Sequence, residues 1–343
     1  MKSLLAILLL IATWNPLQAG TSSDWSIVKR IHLGGLGGWD YVTSDPAAER
    51  LYVSHAAHVL VLDLKTDKII ATLDAVGVHG IALAPELNRG FISNGGNGTV
   101  TLFDLKTFKP ITTVKVGENP DAICYEPVTK RVFAFNGRSS TVSVIDATAG
   151  KVIGEISLPG KPEFAQADGA GFVFDNIEDM GLVLKIDATK LNIVARWPVA
   201  PDTEPSALAI DPKSHRLFVG CGDQKLAVMD DETGRIIGTV PIGQGVDATA
   251  YDPVRHRVFA SCGDGTLTVI NQKSADQYEV EAIVPTAKGA RTMAVDSRTG
   301  AAYLPSAQFG PPPAPTPEHP KPHRSVLPDT LEILVVSGPQ AQK

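Results

Sequence analysis

Seven residues stand at one recurring place in this chain: Asp40, His79, Asp121, Glu163, Ser206, Asp247 and Arg291. Carboxylates mixed with imidazole suit proton transfer and the binding of divalent metal ions. A second series, also evenly spaced, runs His55, Asn94, Asn136, Asp175, Cys221, Cys262 and Ser306. His55 with Asp40 and His79 makes an N/O ligand group for a transition metal, and His55 or His79 is the candidate general base. Asn94, Asn136, Glu163 and Asp247 form an alternative, all-oxygen set for a divalent ion. With Asp121, Asp175 and Arg291 added, these residues are the candidate ligand-binding set. Gathered on one axis, the four carboxylates of the first series repel one another unless a cation, a shared proton or Arg291 relieves them.

What must gather them is a repeat. Arg50–Asp63 (RLYVSHAAHVLVLD) returns as RVFAFNGRSSTVSVID at Arg131–Asp146, RLFVGCGDQKLAVMD at Arg216–Asp230 and RVFASCGDGTLTVIN at Arg257–Asn271. Each copy is a β-branched and aromatic run, a small polar break, and a second alternating run, so it reads as two strands and a tight turn. The closing residues Asp63, Asp104, Asp146, Asp187, Asp230 and Asn271 are 41, 42, 41, 43 and 41 apart. A strand-only repeat of that period is a propeller blade of four strands, a to d. Proline in the a–b turn (Pro46, Pro85, Pro127, Pro212, Pro253) presets that turn. The fourth blade lacks it and carries Asp168-Gly169-Ala170-Gly171.

The seventh blade starts at Arg291 but reaches its third strand only at Thr330–Val336, with no fourth strand behind it. Ile27–Gly34 (IVKRIHLG) aligns with the outer strand Ile236–Gly243, so the chain's beginning is expected to complete the last blade. The fold class is therefore all-β, a single seven-bladed propeller over residues 24–337, closed by its N-terminal strand. Because strands in a blade are antiparallel, the start of strand a, the end of strand b and the b–c loop share one face. The two series are thus expected as concentric polar rings at one mouth of the channel.

The repeats resemble the YVTN-type β-propeller family, the YncE-like secreted bacterial propellers. Tyr52-Val53-Ser54-His55, Phe91-Ile92-Ser93-Asn94 and Phe133-Ala134-Phe135-Asn136 approximate its signature, and Val142–Pro162 keeps the rest of its repeat. The resemblance implies binding or scaffold roles rather than one reaction. By analogy with secreted propeller lactonases and lyases, which use Glu/Asn/Asp sets, it also allows a metal-assisted hydrolase or lyase. A protein-interaction platform on the blade edges is a third reading.

Met1–Ala19, with Lys2, the apolar run Leu4–Ala12 and Leu17-Gln18-Ala19, reads as a cleaved secretory signal, which implies a periplasmic or secreted protein. The 31 Lys and Arg against 37 Asp and Glu give a net charge of −6, or 30 − 37 = −7 without Lys2. That balance argues against nucleic acid as a partner and favours a small polar ligand or a metal ion. Cys221 and Cys262 are expected as free thiols, and Cys124 as a small core residue. The Pro-rich insert at 308–328 joins strands b and c of the last blade and is expected as a stiff lid over the mouth. No GxSxG, HExxH, CxxC or P-loop motif occurs.

Overall fold

In the computed structural model, residues 24–314 and 324–339 are described; the signal-like segment and the middle of the Pro-rich insert lie outside them. Seven four-stranded antiparallel sheets follow one another around an axis. In the first blade strand a is Trp39–Asp45, b is Arg50–His55, c is His58–Asp63 and d is Lys68–Asp74. The seventh sheet is composite. Its order is Ser26–His32, Glu332–Ser337, Ala301–Ser306 and Ala294–Asp296, with Ser26 opposite Ser337 and His32 opposite Glu332. The N-terminal strand closes the ring.

Strands b and c are buried on both faces, whereas d keeps its outward side chains in water. The reason is stacking: the apolar clusters lie between blades, not within them. One cluster joins Phe133 and Val142 of the third blade to Val173 and Leu184 of the fourth. Burying each such side chain is worth about 1.5–3 kcal/mol.

Two polar devices explain residues that the repeat keeps returning to. Asp63 Oδ1 accepts the backbone N–H groups of Lys65 and Thr66 and the Thr66 hydroxyl, at 3.0, 2.8 and 2.9 Å. Asp104, Asp146, Asp187 and Asp230 cap the same c–d turn in their own blades. These carboxylates are structural.

The Arg that opens strand b reaches into the next blade. Arg50 donates to the Leu105 carbonyl, Arg89 to Ala147 and Arg131 to Ala188. The fourth blade has Phe172 at that place, and Lys185 takes over. Its Nζ donates to the equivalent carbonyl of Asp231 at 2.9 Å and sits 4.4 Å from the Phe172 ring centroid. Phe174 and Trp197 complete an aromatic surround. The same blade's a–b turn needs its glycines: Gly169 and Gly171 have φ of 72° and 105°, while Asp168 Oδ1 accepts the N–H groups of Ala170 and Phe172.

Candidate functional site

Strand a is innermost in every blade, and six of the seven depart from regular pairing near their start. The register shifts fall between Trp39 and Val42, Val78 and Ile81, Pro120 and Ile123, Pro162 and Ala165, Pro205 and Ala207, and Val246 and Ala248. Asp40, His79, Asp121, Glu163, Ser206 and Asp247 all lie inside these irregular steps. A bulge re-aims a side chain that a flat strand would direct into the sheet stack. Here the bulges bring these six residues, with Arg291 and Thr292, around one cavity of about 230 Å³ on the axis. The first series is thus assembled as a ring.

Within it, His79 Nδ1 lies 2.5 Å from Asp40 Oδ2 and 3.7 Å from Asp121 Oδ1. One donor atom from each of the three falls within 4.8 Å of the others. Arg291 Nε pairs with Asp247 Oδ2 at 3.0 Å, and Lys161 Nζ with Glu163 Oε2 at 2.6 Å and Glu178 Oε2 at 2.8 Å. Among the described residues two cations therefore face five carboxylates, and the imidazole is shared between two of those.

Burial and mutual repulsion set how the ring titrates. Burial, then the charge of Asp40, pushes the Asp121 carboxyl up to about 7. Burial raises Asp247 to about 6 even with Arg291 pulling it down, and burial also raises Glu163. For His79 burial works the other way, yet the hydrogen bond to Asp40 and the charge of Asp121 prevail and its pKa is raised. Burial and neighbouring carboxylates thus oppose the ionisation of Asp121, Glu163 and Asp247.

Two residues outside both sequence series form the floor. Tyr41 and Phe164 meet across the axis with ring centroids 5.3 Å apart, and the Tyr41 hydroxyl donates to the Glu163 carbonyl at 3.0 Å. Their aligned partners are Gly80, Ala122, Ala207, Ala248 and Thr292, all small. Two aromatics in a column of small residues were the available signal. Lys161 and Glu178 also escape the sequence pattern, since both precede or follow strands rather than start them.

The second series is not a second ring. His55, Asn94, Asn136, Cys221, Cys262 and Ser306 do end their b strands, but all are buried and none lines the cavity. The Asn94 amide donates to Thr99 and Thr101 and accepts from the Val76 N–H; that of Asn136 donates to Thr141 and Ser143. Both asparagines lock the b–c hairpin, so of the all-oxygen set only Glu163 and Asp247 face the cavity. His55 packs beneath Gly35, where a Cβ would sit 2.6 Å from its ring, and burial lowers its pKa. It does not join Asp40 and His79 in the cavity lining.

Asp175 needs a register correction. Pro162 pairs with Ile177, as Trp39 pairs with His55, so Ile177 ends that strand. Asp175 pairs with Ala165 and replaces Val53 of the first blade, an interior core position. It is fully buried, both carboxylate oxygens lack a hydrogen-bond partner, and burial raises its pKa far above the usual range. Cys124, Cys221 and Cys262 are buried free thiols.

The described ends of the insert stand beside the mouth. Phe309 bridges Val326 and packs on Trp39 at 5.9 Å between centroids, next to Asp40 in the chain.

No protein-family model matches the chain, and no curated protein sequence matches it. Solved structures do. The WD40 repeats of RRP9 superpose with a TM-score of 0.76 at 7% identity, covering 92% of this chain and 98% of that one. A chain of the mitotic checkpoint complex gives 0.71 at 14% identity, over 89% and 95%. Hydrazine synthase of Kuenenia stuttgartiensis gives 0.70 at 15%, over 78% and 92%. At these identities the likeness concerns the seven-bladed fold alone.

Proposed function

We propose that the protein is an extracytoplasmic binding propeller of YVTN type whose acidic mouth holds a divalent metal ion or a small cationic, polar ligand. One observation carries this reading: four carboxylates and His79 surround a cavity of about 230 Å³, and among the described residues only Arg291 and Lys161 are paired against them. A bound cation supplies the missing charge. Asp40, His79 and Asp121 are the proposed metal donors, a carboxylate–imidazole set that suits a borderline divalent ion. The short His79–Asp40 hydrogen bond opens when the ion enters, so uptake releases protons. Ser206, Asp247 and Arg291 then remain for the polar part of a ligand, with the insert as its cover. Metal-assisted hydrolysis is the enzymatic form of the reading, with Glu163 and Asp247 as the oxygen ligands that remain of the all-oxygen set and His79 as the general base.

The test is elemental analysis of protein purified without chelator, joined to thermal melting with and without chelator. A bound divalent ion, a melting temperature that falls on chelation, and its recovery on adding metal support the site. No metal, no chelator effect, and no stabilisation by added Ca²⁺, Mn²⁺ or Zn²⁺ overturn it. A protein-binding platform is the second reading. It is favoured by paired apolar residues exposed on outer strands, Ile69 with Ile70 and Val152 with Ile153, and by likeness to a chain of the mitotic checkpoint complex, an assembly by name.

A further inference from the structure

The floor of the mouth divides the axial channel. Below Tyr41 and Phe164 a larger cavity of about 540 Å³ continues to the face bearing the a–b turns, where Pro46 and Pro85 line it. All seven blades contribute to its wall. We propose that this lower channel is a second ligand site, separate from the acidic mouth, for a neutral amphipathic small molecule with an aromatic or alkyl body and one hydroxyl or amide end.

Its chemistry is opposite to that of the mouth. Among the described residues Asp45 is the only charged side chain in the wall, and it is 7% exposed with its Oδ1 tied to the Ala48 N–H at 3.0 Å. The hydroxyls of Tyr125 and Tyr251 are bound to Glu86 at 2.5 Å and to Gln272 at 2.6 Å, which leaves their rings to the channel. Ile123 and Met293 add apolar surface. An anionic ligand entering here finds no counter-charge and loses part of its hydration, at a cost of several kcal/mol. A neutral one finds an aromatic floor and a polar side chain in the wall, Gln166. The volume lies within the range of small-molecule sites, about 300–1,000 Å³.

Three shape-matched probes separate the possibilities: para-fluorobenzyl alcohol, para-fluorobenzoate and para-fluorobenzylammonium, followed by fluorine NMR line broadening on the full chain. The alcohol is expected to bind at least about tenfold more tightly than the benzoate. Ala250→Phe or Ala167→Phe, each filling the channel, should abolish its binding, and Asp121→Asn in the mouth should leave it unchanged. The ammonium probe should instead lose binding in Asp121→Asn. Equal broadening by alcohol and benzoate, or alcohol binding that survives both channel variants, overturns the proposal. Should neither variant fold, a wild-type crystal soaked in para-bromobenzyl alcohol decides. An anomalous peak between Tyr41 and Pro46 supports the site, and peaks only on the outer surface, or none, refute it.

Discussion

Replacing Asp121 by Asn removes one charge from the mouth while keeping side-chain shape, and the surroundings of that carboxyl set both the size and the sign of the effect. The Asp121 carboxyl is held at about 7 against an ordinary 3.8, because burial and Asp40 oppose its ionised form. A shift of roughly three pH units corresponds to about 4 kcal/mol of destabilisation once the group is charged. Its coupling to His79, which Asp121 partly neutralises from 3.7 Å, and its partial exposure reduce that to an expected net gain of about 1–3 kcal/mol for the variant. The sign depends on pH. A carboxyl with a raised folded pKa penalises the fold fully above that pKa, and the penalty fades as pH falls toward the unfolded value. His79, also raised, contributes stability below its unfolded pKa that is lost as pH rises through the folded one. Wild-type protein in chelator should therefore gain stability from pH 8 to pH 5, and the Asp121→Asn advantage should be largest at pH 8 and vanish near pH 4. Urea unfolding followed by circular dichroism measures this directly. With saturating metal the order reverses, since the variant lacks a donor. A variant less stable than wild type in chelator at pH 8, or an advantage that ignores pH, refutes the reasoning.

Removal of residues 25–33 should cost several kcal/mol and lower the melting temperature, because Trp25 packs edge-on to Phe259 at 5.6 Å and Ile31 is 5% exposed; a truncated protein that melts with the full chain contradicts ring closure. Lys185→Met should lose the inter-blade hydrogen bond and the cation–π contact together, about 1–3 kcal/mol in urea unfolding, whereas Lys185→Arg should retain most of it. Asp175→Val should stabilise the protein by about 1–3 kcal/mol at neutral pH, since it restores the first blade's core residue and deletes a carboxyl with no partner; a loss of stability in the same urea titration contradicts this account of the group.

The fold was legible because its signals are periodic. A strand repeat of near-constant length, proline in the same turn and a missing outer strand recovered from the N-terminus leave one architecture. The first series of site residues was legible for the same reason, as one aligned column. The second series departs from expectation through one offset of two residues and through side-chain direction. Asp175 falls into the second series because the fourth blade lacks the His or Asn that marks the end of strand b in the first three blades, and Ile177 offers no polar label. Asn94 and Asn136 carry the right atoms for a metal, but their amide nitrogens donate into the hairpin next to them and both side chains are buried outside the cavity lining. A sequence column says which residues are equivalent, not which way they point. The bulges of strand a decide that, and nothing in the residue types announces them.

The pairing of Ser26 with Ser337 also orders events in time. Blades one to six are each built from a contiguous stretch, and can form in turn as the chain emerges from the ribosome or, on the proposed export, from a translocation pore. The seventh cannot, because its outer strand appears first and its three inner strands last. Until the last of them emerges, residues 26–32 wait without a partner, and the nascent ring bares the apolar faces of its first and sixth blades. The entropy of closing so long a loop grows only logarithmically with length, so the stability lost to this arrangement is small. The penalty is in kinetics: such non-local contact slows the final step and prolongs exposure of those faces to other chains. A chain with this topology therefore has most need of a chaperone while Glu332–Ser337 emerges and pairs.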